Sequence, residues 1–346
     1  MSAPLGHAMS DVMIKFETES GSHAVTLSAG ESVLDGLLRA GHAIPNSCRG
    51  GACQACLMRA TSGAVPAAAQ VGLKETLRAG GYFLACSCRP AEDLTVSLPG
   101  AALAGTPAVV KRVDLLSPDV ARVLIECKEP FAYRPGQFVN LVRPDGLVRS
   151  YSLASLHRSE DVAGHDEHLE LHVRRVTGGR MSSWLFDEAG PGHAVELRGP
   201  AGECYYVPGQ PERPILLVGT GTGLAPLYAI ARDALRHGHT GPIRLYHGAR
   251  TVAGLYMVDE LREMAAGHAN FEFHPCAMTE PGEPVAGLRV GAIDAVLKAD
   301  LPKTAGWRVF LCGDPTLVAG LRKKIFLAGA KMSDISADAF LTRAGA

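Results

Sequence analysis

The sequence predicts three blocks of different fold class in series: a small α+β block, an antiparallel β-barrel, and an α/β block on a parallel sheet. Three observations predict them. Four cysteines gather in the first hundred residues, the next hundred show mainly strand-like alternation and turns, and the remainder alternates apolar strands with helical stretches around a glycine-rich turn. The boundaries are placed at 12–100, 108–208 and 209–346.

In the first block, Ile14 and Phe16, then Val25 and Leu27, alternate as a hairpin turning near Ser20-Gly21-Ser22. Ser32 to Ala40 carries Val33, Leu34, Leu37 and Leu38 at helical spacing, with Gly41 just after, and reads as a short capped helix. Leu94 to Leu98 reads as a closing strand. Between them stand Ser47-Cys48-Arg49-Gly50-Gly51-Ala52-Cys53-Gln54-Ala55-Cys56 and Leu84-Ala85-Cys86. Four residues separate the first cysteine pair, two the second, and a long excursion precedes the fourth, which is the plant-type ligand spacing for a 2Fe–2S cluster. Thiolates must reach two irons from two sides, so Cys48, Cys53 and Cys56 come from one tight loop and Cys86 from a returning strand. Gly50 and Gly51 let the loop wind with its N–H groups turned inward. Hairpin, helix, cysteine loop and closing strand follow the order of a β-grasp ferredoxin.

The alternative for these cysteines is structural zinc, since Cys53 and Cys56 form a C-x-x-C pair, but no second such pair or paired histidine accompanies it. Nine cysteines in 346 residues, an odd total, do not make a disulfide framework. Cys88 competes with Cys86 as fourth ligand. Strand alternation would put both on one face; the lead-in Tyr82-Phe83-Leu84-Ala85 and the spacing favour Cys86. Cys127, Cys204 and Cys276 sit alone in apolar or strand-like contexts and read as small core residues.

Charge is nearly balanced, at 34 basic against 35 acidic residues, which offers no basic face to nucleic acid or an anionic membrane. Met1 to Ser10 carries no sustained apolar run of the secretory kind. Pro214 to Ala231 is uncharged for 18 residues, yet its three glycines, two prolines and two threonines fit strand, turn and helix better than a membrane span. A cytoplasmic protein is expected. Pro99 to Pro107, rich in small residues, reads as a linker.

The second block is read from Val109, Val113 and Leu115, then Val123 and Ile125, then Phe138 and Leu141, then Leu169, Leu171 and Val173, as a closed antiparallel barrel. Arg149-Ser150-Tyr151-Ser152, preceded by Pro135-Gly136-Gln137-Phe138, and Gly178-Gly179-Arg180-Met181-Ser182 are what such a barrel needs to hold a flavin. An arginine supplies a fork of donors for pyrophosphate, an aromatic a stacking face, and a helix opening after Gly179 free N–H groups. His168 and His172 are read as an exposed strand face, and His165 is given no role.

In the third block, Ile215 to Val218, Ile243 to His247 and Val309 to Cys312 read as strands, with Leu224 to His237 and Val258 to Ala266 as helices. Gly219-Thr220-Gly221-Thr222-Gly223-Leu224-Ala225-Pro226 lies between the first strand and helix. It departs from the dinucleotide fingerprint because the third glycine comes one residue early and no acidic residue follows at the expected distance. A glycine-rich turn at a helix N-terminus still suits phosphate. Leu311-Cys312-Gly313-Asp314-Pro315 ends a strand at the sheet's carboxyl edge, where ligands of such folds bind.

In this order the motifs resemble the NADH-dependent reductase components of bacterial multicomponent oxygenases, of the benzoate dioxygenase, phenol monooxygenase and soluble methane monooxygenase type, within the ferredoxin–NADP reductase superfamily. The resemblance runs from about Val12 to the C-terminus. It implies that Cys48, Cys53, Cys56 and Cys86 hold the cluster; that Arg149, Tyr151 and Ser152 contact FAD, Tyr151 on the ring and Ser152 near N5; and that Gly179, Met181 and Ser182 face its pyrophosphate. Gly221, Thr222, Gly223, Cys312 and Gly313 would line the nicotinamide pocket, and Arg250 and Tyr256 would lie at the adenosine end. It further implies NADH as donor, a terminal oxygenase or another one-electron protein as acceptor, and electron transport with no acid–base pair, Ser152 and Cys312 only positioning the reactants. The ferredoxin block stands first, which favours FAD over FMN. Gly254 stands where the family often has Asp, which weakens the inference to NADH. Six residues follow Phe340, so it is given no place at the flavin. Two other readings share this layout: the reductase partner of a deoxysugar dehydratase, and a non-enzymatic electron carrier or sensor.

Overall fold

Period-two alternation at the N-terminal end folds as the expected hairpin. The computed structural model describes residues 12–18, 21–98, 105–158, 162–279 and 285–341. Met1 to Ser10, the tip of the expected turn at Ser20, and Pro99 to Ala104 of the expected linker lie outside them. The chain divides into two compact units, 1–105 with 145–150, and 106–144 with 151–346.

In the smaller unit β1 (Val12–Thr18) pairs antiparallel with β2 (Gly21–Leu27), and Ile14, Phe16, Val25 and Leu27 turn into the core. Helix α1 (Val33–Arg39) starts where the Ser32 hydroxyl accepts from the Asp35 N–H at 3.1 Å, an N-cap that satisfies an otherwise orphaned donor. Gly36 faces β2 so closely that a Cβ would collide with Leu27. Then follow β3 (Leu57–Ser62), α2 (Glu75–Ala79), β4 (Tyr82–Leu84) and β5 (Leu94–Ser97), giving the sheet order β2-β1-β5-β3-β4 with β1 and β5 parallel. This is the β-grasp arrangement.

The second sheet, with its helix, is formed by β6 (Thr106–Ser117), β7 (Val120–Cys127), β8 (Phe138–Val142), β9 (Val148–Ser152), β10 (Leu169–Arg174), α3 (Arg180–Asp187) and β11 (Ala194–Ala201). The strand order is β10-β7-β6-β11-β8-β9. Its ends meet, because Leu153 bridges Leu171 and the Ala154 N–H donates to the Glu170 carbonyl at 2.8 Å, so the sheet closes as the predicted barrel. One face assignment fails. Ala108 and Val110 are buried and Val109 takes the other face, because a bulge against β7 between Val110 and Arg112 shifts the alternation and brings only Val113 and Leu115 into register with the buried Val123 and Ala121; Leu115 is nevertheless 67% exposed.

The α/β part consists of β12 (Ile215–Thr220), α4 (Leu224–Arg236), β13 (Ile243–Ala249), α5 (Val258–Gly267), β14 (Phe271–Ala277), β15 (Arg289–Val290), α6 (Ile293–Asp300), β16 (Arg308–Gly313), α7 (Pro315–Leu327) and β17 (Ile335–Ala339). All pairs are parallel, in the order β15-β14-β13-β12-β16-β17. Alternation along β12 sends Ile215 and Leu217 toward α4 and α5, and Leu216 and Val218 toward α6 and α7. Each such fully buried side chain is worth about 1.5–3 kcal/mol. The chain leaves β12 on one side for β13 and returns on the other at β16, so a topological switch point opens at their carboxyl ends. Pro214 to Ala231 is shared between β12, the glycine turn and α4, and no helix among the described residues is long and apolar enough to cross a membrane.

Candidate functional site

The cysteine loop brings sulfurs together in two pairs. The Gly50 and Cys53 N–H groups point at the Cys48 sulfur at 3.3 and 3.4 Å, and the Cys48 N–H at the Cys53 sulfur at 3.4 Å. The Cys86 N–H points at the Cys56 sulfur at 3.5 Å. Within each pair one thiol serves the other: the hydrogen bond from Cys53 pulls Cys48 down to about 5, and that from Cys56 pulls Cys86 down to about 6. Two pairs of thiol ligands, each with one member held toward thiolate, suit a group with two irons bridged by sulfide. The loop takes left-handed backbone at Arg49, Gly51 and Gln54, not at Gly50. A Cβ on Gly51 would come within 2.7 Å of the Ser87 hydroxyl. Arg49 accepts the strain because its guanidinium bonds Asn46 at 3.0 Å and Asp35 at 3.3 Å, and Gln54 reaches the Gly72 carbonyl at 3.3 Å.

Cys86 lies in a turn after β4, not in a strand, so alternation does not align it with Cys88. Cys88 is fully buried in the apolar core, which pushes its thiol up to about 12. Cys204 is not alone either. It lies against the fully buried Cys312, whose thiol burial and the Cys204 contact push well above the ordinary range. Cys276 is buried and Cys127 half-buried at the end of β7.

On the barrel, Arg149, Tyr151 and Ser152 lie on β9, the first two half-buried and Ser152 7% exposed. Arg149 Nη1 donates to the Val148 carbonyl at 2.7 Å. Gly179 caps α3, and a Cβ there would meet the Ser182 hydroxyl at 2.6 Å and Val176 at 2.9 Å. Met181 is buried, and the Ser182 hydroxyl is occupied, accepting from the Val176 N–H at 3.1 Å and donating to the Gly179 carbonyl at 3.2 Å. What these two residues can offer an anion is the first-turn N–H groups of an eight-residue helix, which no carbonyl within that helix can accept. A flavin pyrophosphate fits that donor set.

At the switch point the glycine turn and the end of β16 interlock. Gly219 is in register with Cys312, and a Cβ on Gly223 would collide with the Cys312 carbonyl. Gly313 has φ +120°, and a Cβ there would stand 2.7 Å from the Thr220 carbonyl. Gly221 has φ +54°, and a Cβ would meet Arg174 Nη1 at 2.8 Å. Thr222, half-exposed, stands between the two glycines. Backbone thus approaches backbone at Gly223 and Gly313, while Gly221 faces the Arg174 side chain and the Leu224 N–H is turned back onto the Gly221 carbonyl. Arg250 is exposed just beyond β13, with its carbonyl accepting from Thr279 at 3.2 Å.

Tyr256 does not stand with it. The ring is 2% exposed and its hydroxyl lies 3.0 Å from His172 Nδ1, so Tyr256 belongs to the interior and not to an open adenosine end. His172 itself is 3% exposed, which corrects its reading as a surface residue; the barrel wall at β10 is covered on both faces. Three residues here were passed over. Arg174 is the barrel's cation against the glycine turn, His247 is buried beneath it, and Asp338 on β17 is in register with Cys312 with its carboxyl pushed up by burial to about 6. The arginine at the end of β10 could have been noticed from its place after Val173. Nothing local marks Asp338, because β17 carries no clear alternation.

Residues 17–91 match the family of 2Fe-2S iron-sulfur cluster binding domains, 107–206 that of oxidoreductase FAD-binding domains, and 217–323 that of oxidoreductase NAD-binding domains. The chain is 38% identical over 320 residues to the reductase subunit of an aromatic O-demethylase of Amycolatopsis sp., covering 89% of this chain and 93% of that one. It is 34% identical over 331 residues to the ferredoxin–NAD(P)+ reductase component of the naphthalene 1,2-dioxygenase system of Pseudomonas putida, covering 93% and 97%. Among solved structures, an Amycolatopsis cytochrome P450 reductase superposes with a TM-score of 0.65 at 34% identity, over 95% of this chain and 98% of that one. The two sulfur pairs, the closed barrel with the first-turn amides of α3 and the interlocked glycine turn therefore carry one assignment: the chain belongs to the family of FAD- and 2Fe–2S-containing NAD(P)H reductase components of oxygenase systems.

Proposed function

We propose that this reductase draws electrons from NADH and delivers them singly to the oxygenase component of an aromatic-oxidising system. FAD, when bound, exchanges two electrons with a nicotinamide and one at a time with an iron–sulfur cluster. The chain supplies the rest. Arg149, Tyr151 and Ser152 hold the flavin, with the Gly179, Met181 and Ser182 amides on its pyrophosphate. Gly221, Thr222, Gly223, Cys312 and Gly313 receive the nicotinamide end, Arg174 and the α4 amides the phosphates, and Arg250 the adenosine end. Cys48 with Cys53, and Cys56 with Cys86, hold the two irons.

The single observation that supports this most is the sulfur pairing. It makes a one-electron exit port of a chain that otherwise ends at a two-electron flavin. Anaerobic reduction of the holoprotein with one NADH tests it: the flavin bleaches first, and the rhombic signal of a reduced two-iron cluster follows in electron paramagnetic resonance. A flavin that bleaches while the cluster stays oxidised would remove the exit port from the proposal. NADH as donor is supported by the match to oxidoreductase NAD-binding domains and is read from kcat/KM with both nucleotides.

A further inference from the structure

Beneath the glycine turn runs a line of buried polar groups with no part in the function described so far. It starts on the barrel, where Arg122 Nε donates to Glu170 Oε1 at 3.0 Å and His172 Nε2 to the same oxygen at 2.8 Å. Burial would raise the Glu170 carboxyl, but the bonds from His172 and Arg122 outweigh it and hold it below the ordinary value. With its Nε2–H given to Glu170, His172 Nδ1 is left to accept the Tyr256 hydroxyl at 3.0 Å, a phenol that burial keeps protonated. The Tyr256 ring then meets His247 edge to face, centroids 5.3 Å apart. Finally His247 Nε2 donates to the Gly221 carbonyl at 3.1 Å.

His247 is unusual in two ways. It is completely buried, and its Nδ1 has no hydrogen-bond partner among the described residues. Such an orphan costs on the order of 1–3 kcal/mol, a cost that leucine in the same space would not carry. What leucine could not do is hold the Gly221 carbonyl from outside the turn, in addition to the Leu224 N–H that reaches it from within. Gly221 sits at φ +54° between Arg174 and His247, and an unrestrained glycine is the residue freest to leave such a conformation. Burial holds His247 down at about 4, so at neutral pH it carries one proton, which the carbonyl fixes on Nε2.

We propose that His247, braced by Tyr256 and through it by His172 and Glu170, is a positioning residue for NADH: it pins the Gly221 carbonyl and so holds the Gly221–Thr222–Gly223 turn in the form that receives the nucleotide. The barrel strand that carries Glu170 and His172 thereby reaches the nucleotide turn of the parallel sheet. Preorganisation of this kind acts on nucleotide affinity, since an unpinned turn must be ordered at the moment of binding. The proposal rests on the reading that this turn binds NADH.

The test uses the full-length holoprotein with ferricyanide as acceptor. His247→Leu is expected to raise KM for NADH about tenfold while kcat changes less than about threefold, the signature of lost binding and not of lost chemistry. His247→Gln, which restores an N–H near the carbonyl, brings KM back to within about threefold of wild type, and Tyr256→Phe, which removes only the brace, raises it about threefold. Equal KM in wild type and His247→Leu, or equal impairment in the Leu and Gln variants, overturns the proposal. Should His247→Leu lose its FAD, Tyr256→Phe carries the test, and an unchanged KM there overturns it. Gly223→Ala separates the underlying reading: if this obstruction of the turn leaves KM for NADH and inhibition by NAD+ unchanged, the turn is not the nucleotide site. If it raises KM for NADH and weakens inhibition by NAD+ while His247→Leu does neither, the turn binds NADH and only the positioning role fails.

Discussion

Cys86 and Cys88 differ by two positions and by everything around them. One shares a sulfur pair, the other is sealed in the apolar core. Cys86→Ser is expected to abolish the visible absorption of the cluster, whereas Cys88→Ser keeps that spectrum and costs about 1–3 kcal/mol of stability by burying a hydroxyl. Absorption spectra and urea unfolding of the two variants check this, and the reverse pattern would move the ligand by two residues. Gly254 allows a test of nucleotide choice. A Cβ there would stand 3.2 Å from the Ala249 methyl in a short turn, so Gly254→Asp fits with a small adjustment. A carboxylate repels a 2′-phosphate, and the ratio of kcat/KM for NADH over NADPH should rise about tenfold, or about 1.4 kcal/mol; a wild type that favours NADPH would reverse the cofactor assignment. Asp338 supplies a pH dependence. Burial lifts its folded pKa from 3.8 to about 6, so the folded chain keeps a proton that the unfolded chain releases between those values. Stability therefore falls as pH rises from about 4 to about 6 and is level above, by at most about 3 kcal/mol because the side chain is partly exposed. Asp338→Asn removes that slope, raising Tm at pH 7.5 and leaving it unchanged at pH 4.

Among elements, legibility followed length and neighbourhood. α4 runs from Leu224 to Arg236 and was readable to within a residue, because thirteen residues repeat one apolar stripe and a glycine turn precedes them. β14, β15, α6, α7 and β17 were not read. β6 was read in a single phase that misplaces Val109, since the bulge at Val110–Arg112 is set by the partner strand and leaves no mark in β6 itself. The glycine turn was found, but the reason for its glycines was not: Gly223 is glycine because β16 passes directly over it. Gly223→Ala must push the turn off the Cys312 carbonyl. It is expected to lower kcat/KM for NADH at least about tenfold, with FAD content and cluster spectrum retained, and flavin reduction by NADH in a stopped-flow instrument measures it.

For the whole molecule, division into two compact units implies that electron entry and electron exit can be separated. A fragment must begin no later than Thr106, since Thr106 and Pro107 already pair with Leu197 and Glu196 of β11. Residues 106–346 are expected to oxidise NADH with ferricyanide and to lose most activity toward a one-electron protein acceptor; equal rates of acceptor reduction by fragment and full chain would show that the cluster is not the exit port. The sequence by itself determined the three-block architecture and the cluster ligands, because cluster-ligand spacing, strand alternation and a glycine turn before a helix are short-range patterns with chemical meanings of their own, while FAD and NADH were implied by the family resemblance that the order of the motifs carries. Only the tertiary structure decided which cysteine stands apart, which face of β6 is inner, that Cys204 lies on Cys312, and that Tyr256 and His172 are interior partners and not surface groups. Burial and contact are sums over segments far apart in the chain. His172 and Tyr256 are 84 residues apart and meet at 3.0 Å, a distance that no local pattern around either residue contains.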